Sequence, residues 1–367
     1  MFFDFTVSAV RASMILRINS TFAVTVPEED PFCEDRPDLH VIAAGSLLGL
    51  TYRDDLSDNV TGDGWNDRDG TGFPVGKVNM IPVYPFSFTE YLTATGEYRL
   101  AEEIRNRNWT VLRDLHEALV EKLRYYYVVG GMPEAVSVYL ETRNFIDVHA
   151  VHREILDGYR RDVSKHAPKA DVCKIEMCWM SVPVQLAKKF TYSTLRKGAR
   201  RSDFRDPLAW LEDAGLIYLN RRITAPYLPL DAYSQKEFKV YALDVGLLST
   251  MSGSAPEVIL EGTRVFREFK GALTEQYVCQ QMLAETDFKP CYWSTSDSRI
   301  DFVFQKGMEV CPLEVKSGGN VRSQSLKSYI QRFRPVTAYR MSMLSYTEQE
   351  ITMVDTFIAF VKSWTFP

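Results

Sequence analysis

Between residues 272 and 343 the apolar pattern changes period repeatedly, and the order of those changes leaves few folds open. Helical spacing runs from 272 to about 284, and short apolar runs follow near 290–293, 300–304 and 310–315. A second helical stretch covers 325–333 and a last apolar run 336–343. The pattern predicts α-β-β-β-α-β, a mixed sheet with helices packed on it, and hence an α/β fold class.

Acidic residues fall in three different elements of that unit. Glu275 sits on the first helix, Asp301 lies between Ile300 and Phe302-Val303-Phe304, and Glu314-Val315-Lys316 closes the third strand. Glu-x-Lys also occurs as Glu237-Phe238-Lys239 and Glu268-Phe269-Lys270, so the triplet alone is near chance expectation. Only the third ends an apolar strand, thirteen residues after an aspartate in a neighbouring strand. Pairing those strands is expected to set Asp301 beside Glu314, with Lys316 on the same face as Glu314. Carboxylates so placed bind Mg²⁺, which lowers the pKa of a bound water. Lys316 would position that water or stabilise charge at the phosphorus, and Glu275 would complete the shell or accept a proton. The expected catalytic set is therefore Glu275, Asp301, Glu314 and Lys316, with Asp301 and Glu314 as metal ligands. The plainer alternative is a strand-end ion pair between Lys316 and an acid.

Upstream, residues 174–245 read as helix, turn, helix and hairpin. Helices at 175–189 and 202–213 precede strands at 216–219 and 238–243, the order of a winged helix, which serves nucleic-acid and protein binding alike. Lys188 and Lys189 lie in this region, as do Lys197, Arg200, Arg201, Arg205, Arg221 and Arg222, with Tyr192 and Tyr218 interleaved. The last six cations of that set are the expected contacts to DNA phosphates. A solvated charged face is the competing reading. Residues from about 100 to 185 are helical in pattern, with Leu112, Leu115, Leu119 and Leu123 on one stripe. Gly130-Gly131-Met132-Pro133 reads as a helix-breaking turn with no catalytic part, and Ser87 or Thr89 as a helix cap.

The net charge of −5 in 367 residues excludes wholesale coating of nucleic acid and leaves room for a local basic patch. Six cysteines lack CxxC spacing and read as reduced thiols, and His149-x-x-His152 has no partner pair for zinc. No apolar run approaches the length of a membrane span, and Asp4, Arg11 and Arg17 break the N-terminal one. A cytoplasmic protein is expected. Residues 39–44 read as a buried strand ending at Ser46, 52–72 as an acidic insertion, and 75–83 as another strand. Gly72-Phe73-Pro74-Val75-Gly76-Lys77-Val78 is one residue short of a phosphate loop, and Val78 stands where a hydroxyl must reach Mg²⁺. ATP is not expected to bind by that route.

Several segments together carry a family resemblance. They are His40-Val41-Ile42-Ala43-Ala44-Gly45-Ser46, Tyr84-Pro85-Phe86-Ser87-Phe88, Val129-Gly130-Gly131-Met132-Pro133, Trp210-Leu211-Glu212-Asp213-Ala214-Gly215-Leu216, Leu243-Asp244-Val245-Gly246-Leu247-Leu248, Gly271-Ala272-Leu273-Thr274-Glu275, Asp301-Phe302-Val303 and Glu314-Val315-Lys316-Ser317-Gly318. Over about residues 33–345 the chain resembles a prokaryotic family of AAA-type P-loop ATPases. Its C-terminal domain of unknown function joins a winged helix to a restriction-endonuclease-like fold. The match at Glu275, Asp301, Glu314 and Lys316 resembles the PD-(D/E)XK nuclease pattern. Met1-Phe2-Phe3-Asp4-Phe5 resembles a Walker B strand with Phe5 in place of Glu, and no Walker A loop is present, so the resemblance implies a truncated member.

The resemblance implies a remnant P-loop ATPase lobe over 1–98, a helical and winged-helix middle over 99–252, and a PD-(D/E)XK nuclease-like domain over 253–367. Two functions follow. One is Mg²⁺-dependent binding or cleavage of DNA; the other is an inactive nuclease fold that binds DNA or protein. A homo-oligomer or a protein partner fits either, and a membrane fits neither.

Overall fold

The computed structural model describes residues 82–261, 267–317, 324–344, 347–349 and 352–356. The expected strand at 39–44, Ser46, the insertion at 52–72, the loop at 72–78 and the Walker B-like start lie outside these residues, as does all but the end of the stretch at 75–83. Helices come first: α1 (Phe88–Ala94), α2 (Tyr98–Arg105), α3 (Trp109–Asp114), α4 (His116–Val129), α5 (Pro133–Thr142), α6 (Phe145–His166), α7 (Val172–Gln185) and α8 (Arg201–Asp213). A hairpin follows, β1 (Ile217–Ile223) and β2 (Ser234–Ala242), then α9 (Val245–Met251) and α10 (Pro256–Glu261). The remainder is α11 (Arg267–Glu285), β3 (Cys291–Ser294), β4 (Arg299–Lys306), β5 (Glu309–Lys316), α12 (Gln324–Phe333), β6 (Tyr339–Ser342), β7 (Thr347–Gln349) and β8 (Thr352–Thr356).

Local chemistry accounts for the helix boundaries. Ser87 caps α1: its Oγ accepts the Glu90 amide at 3.3 Å while Glu90 Oε2 accepts the Ser87 amide at 2.9 Å. Pro133 opens α5 at its first turn, where a missing N–H costs nothing. The leucine stripe is broken at Leu115, which ends α3 and precedes α4, although Leu112, Leu119 and Leu123 all reach the core. Helix α7 starts and stops earlier than its pattern suggests, at Gln185, with Pro183 in its last turn.

All the described strands form one mixed sheet in the order β2-β1-β3-β4-β5-β6-β8-β7. The hairpin β1–β2 is antiparallel, β1 runs parallel to β3, and β3, β4 and β5 are antiparallel neighbours. After α12 the chain returns in parallel to β5, and β6 and β8 are parallel as well. The sheet therefore continues across residue 252, because β1 fills the edge that β3 would otherwise expose.

One core surrounds α11 and takes in Phe302, Phe304, Leu313, Val315, Tyr339 and Met341 from one face of the sheet. A smaller one lies under α12 and takes Trp293, Ile300, Val303 and Ala338 from the other face. Helix α11 is buried all round from Leu273 to Met282, so its polar side chains must find partners inside. Gln276 does so by exchanging bonds with the Ala242 backbone, at 2.8 Å to its N–H and 2.7 Å to its carbonyl. Gln280 Oε1 accepts the Val245 amide at 2.9 Å, and Gln281 Oε1 accepts that of Phe88 at 2.8 Å.

Candidate functional site

The predicted acids converge only in part, and the reason is a β-bulge. Cys291 pairs with Val303 and Trp293 with Ile300, so three steps along β4 match two along β3. The extra residue breaks alternation: Ile300 and Val303 both face the core under α12. Asp301 is turned to the α11 side together with Phe302. With Phe302 paired to Leu313, an unbulged strand would have placed Asp301 opposite Glu314 on the other face. The expectation that these two carboxylates share a face is thus corrected. Glu314 lies between Leu313 and Val315, both directed at α11, and so points the opposite way with Lys316.

Glu314 has one cation, and Glu275 and Asp301 share two. Lys316 Nζ lies 3.0 Å from Glu314 Oε1, and Glu314 Oε2 is buried without a hydrogen bond. On the other face, Lys239 Nζ stands 2.9 Å from Glu275 Oε2 and 3.2 Å from Asp301 Oδ1. Arg299 joins the same pair, its Nη2 3.2 Å from Glu275 Oε1 and its Nε 3.2 Å from Asp301 Oδ1. Tyr241 donates to Glu275 Oε2 at 3.1 Å, and the Val315 amide donates to Asp301 Oδ2 at 3.0 Å. Lys239 Nζ also lies 5.4 Å from the Tyr292 ring centroid, over its face. Four charges therefore sum to zero in a site where the Lys239 side chain is 1% exposed.

The electrostatics follow from burial and pairing. Burial alone would raise the Asp301 pKa, but Lys239 and Arg299 outweigh it and hold the group below its ordinary value. Burial pushes Glu275 up, Asp301 adds to the rise, and the two cations offset only part of it. Arg299 is held above its ordinary value by Asp301 and Glu275 against the effect of burial, and half of its side chain remains in solvent.

A divalent ion does not fit this arrangement. Mg²⁺ needs carboxylate oxygens at about 2.0–2.1 Å in near-octahedral order. Both Asp301 oxygens already accept hydrogen bonds, and an ammonium group sits between the two carboxylates where a metal would bridge them. Among the described residues no group of three or more His, Cys, Asp or Glu side chains could hold a metal ion.

Lys239, Arg299 and Tyr241 were not among the expected site residues. Lys239 belongs to one of the two Glu-x-Lys triplets that looked like chance. Its signal was a lysine in an otherwise apolar run, Phe238-Lys239-Val240-Tyr241-Ala242, where an unpaired ammonium would be too costly to bury.

The expected DNA-contact residues divide into two groups. Lys197, Arg200, Arg201 and Arg205 are exposed around the N-terminal end of α8, with Arg205 paired to Asp206 at 2.9 Å. Arg221 and Arg222 are engaged within the protein. Arg221 makes a two-pronged pair with Glu212 at 3.0 and 2.7 Å, and Arg222 donates to the Ser294 carbonyl at 2.9 Å. His152 is no metal ligand either: it joins Thr250 Oγ1 at 2.9 Å and the Val129 carbonyl at 3.0 Å. The Gly130-Gly131 turn is a close-packing point in which Asp244 accepts the Gly131 amide at 2.7 Å.

Two families of unknown function match the chain. Residues 120–257 match a domain of unknown function (DUF8612), and residues 270–365 match another (DUF4143). The second is commonly associated with AAA-type, ATP-binding proteins. No curated protein and no solved structure matches the chain significantly. Among the described residues no helix is long and apolar enough to cross a membrane.

Proposed function

We propose that this chain binds nucleic acid without cutting it, using a nuclease-like C-terminal fold whose acidic centre is held by organic cations. The observation that carries this reading is Lys239 Nζ, within 3.2 Å of both Glu275 and Asp301. A carboxylate pair neutralised from inside the fold offers no open coordination position. Binding is assigned to the exposed cations at the start of α8, Lys197, Arg200, Arg201 and Arg205, in a helix-helix-hairpin order that suits a winged helix. The match of residues 270–365 to a family found with AAA-type ATPases supports a role as the nucleic-acid-binding part of such a protein. ATP hydrolysis is not assigned to this chain.

The test uses the full chain with supercoiled plasmid and either Mg²⁺ or Mn²⁺, alongside a fluorescent duplex in anisotropy. The plasmid stays intact, the duplex binds with an affinity that falls steeply with salt, and Arg200→Ala/Arg201→Ala weakens it. Metal-dependent nicking that Asp301→Ala abolishes would overturn the proposal.

A further inference from the structure

The connection between β1 and β2 exposes large apolar side chains: Tyr227 is 56% exposed and Leu228 39%. Tyr227 is nevertheless held in place. Its ring meets Tyr233 edge-to-face at 5.8 Å and Phe333, the last residue of α12, at 6.5 Å. Phe333 in turn carries the Arg332 guanidinium 5.2 Å from its centroid, and the same guanidinium lies 5.8 Å from the ring of buried Trp293. Arg334 follows in the left-handed region at φ 49°, exposed beside the same corner.

We infer that this corner is a stacking platform for an unpaired base, with Tyr227 as the ring and Arg332 and Arg334 as contacts to the flanking phosphates. The inference rests on the nucleic-acid reading above and names its substrate class, nucleic acid with a single-stranded segment. Charge and shape favour that occupant. A base needs only a fixed aromatic face with cations beside it. An apolar peptide anchor needs a desolvated pocket, whereas here the ring stands more than half in solvent and packs on Phe333, which the two arginines flank in sequence.

The experiment compares a labelled blunt duplex with the same duplex carrying a single-stranded tail, by anisotropy, for the full chain and its variants. Tyr227→Ala is expected to lose roughly tenfold in affinity for the tailed substrate and nothing for the blunt one. Tyr227→Phe, which keeps the ring, should retain wild-type binding. Arg200→Ala/Arg201→Ala should weaken both substrates, which separates the two surfaces. Equal losses on both substrates with Tyr227→Ala, or no loss on either, would overturn the platform. Binding to the tailed but not the blunt duplex would leave the platform standing and remove the role given to α8. Binding to neither would remove both.

Discussion

Lys239 and Asp301 stand 62 residues apart in sequence, and their charged groups meet at 3.2 Å with side chains 1% and 6% exposed. The contact ties β2 to β4 through a lysine that is almost wholly buried, so its worth shows when one partner is removed.

Lys239→Met should be costly in urea unfolding, by about 3–5 kcal/mol, because it leaves Glu275 and Asp301 buried with only half-exposed Arg299 between them. Lys239→Met combined with Glu275→Gln should recover part of that loss, since one cation then faces one anion. A single-variant loss below about 1 kcal/mol would mean that water reaches the cluster freely.

Acid should weaken the fold through His152. Burial, helped by neighbouring His149, lowers its pKa from 6.5 to about 3, against the Val129 carbonyl, whose hydrogen bond raises it. The unfolded chain then binds a proton that the folded one refuses, so stability is full above pH 6.5 and falls as pH drops toward 3. At pH 5 the loss is about 2 kcal/mol, read from urea midpoints. Glu275, raised above its ordinary 4.5 by burial, acts in the opposite sense, because the folded chain holds its proton more tightly and gains stability as pH falls toward 4.5; Asp301, held below 3.8, loses its contribution in stronger acid. Comparison with His152→Gln, which flattens the slope, isolates the histidine.

Two glycine substitutions should have opposite signs. A Cβ on Gly131 would sit 2.2 Å from the Phe86 carbonyl oxygen, a backbone atom that cannot step aside. Gly131→Ala should therefore lower the melting temperature by several degrees at least. Gly158 lies within α6 with nothing within 4 Å of its would-be Cβ, and Gly158→Ala should stabilise by about 0.8–1 kcal/mol.

Arg221 and Arg201 offer a sharper comparison for duplex binding. Arg221 is already clamped by Glu212, so Arg221→Ala should change affinity little and stability by less than about 1 kcal/mol. Arg201→Ala should weaken duplex binding and flatten its salt dependence by about one ion. The reverse ranking, measured by anisotropy, would move the contact from Arg201 to Arg221.

Much of the architecture was legible from side-chain period. The order α-β-β-β-α-β and the helix-helix-hairpin before it both appear, because each element buries a face and so leaves its period in the sequence. The site was less legible. Glu275 and Asp301 do converge, but the bulge that turns Asp301 has no glycine or other marker in Ile300-Asp301-Phe302-Val303. Lys239 arrives through the parallel pairing of β1 with β3, a contact between distant segments that no local pattern encodes. Nor could spacing reveal that Arg221 and Arg222 are spent on Glu212 and the Ser294 carbonyl, since exposed and engaged arginines look alike in a sequence.

The shared sheet also limits how the protein can be divided. A fragment beginning at residue 253 would carry Glu275, Asp301 and Arg299 but leave Lys239 and the neighbouring β1 behind. Its first strand would present a bare edge, and its acids would outnumber their counter-ions. Such a fragment is open to aggregation and to metal ions that Lys239 keeps out of the Glu275–Asp301 pair, and its behaviour would describe the cut and not the protein.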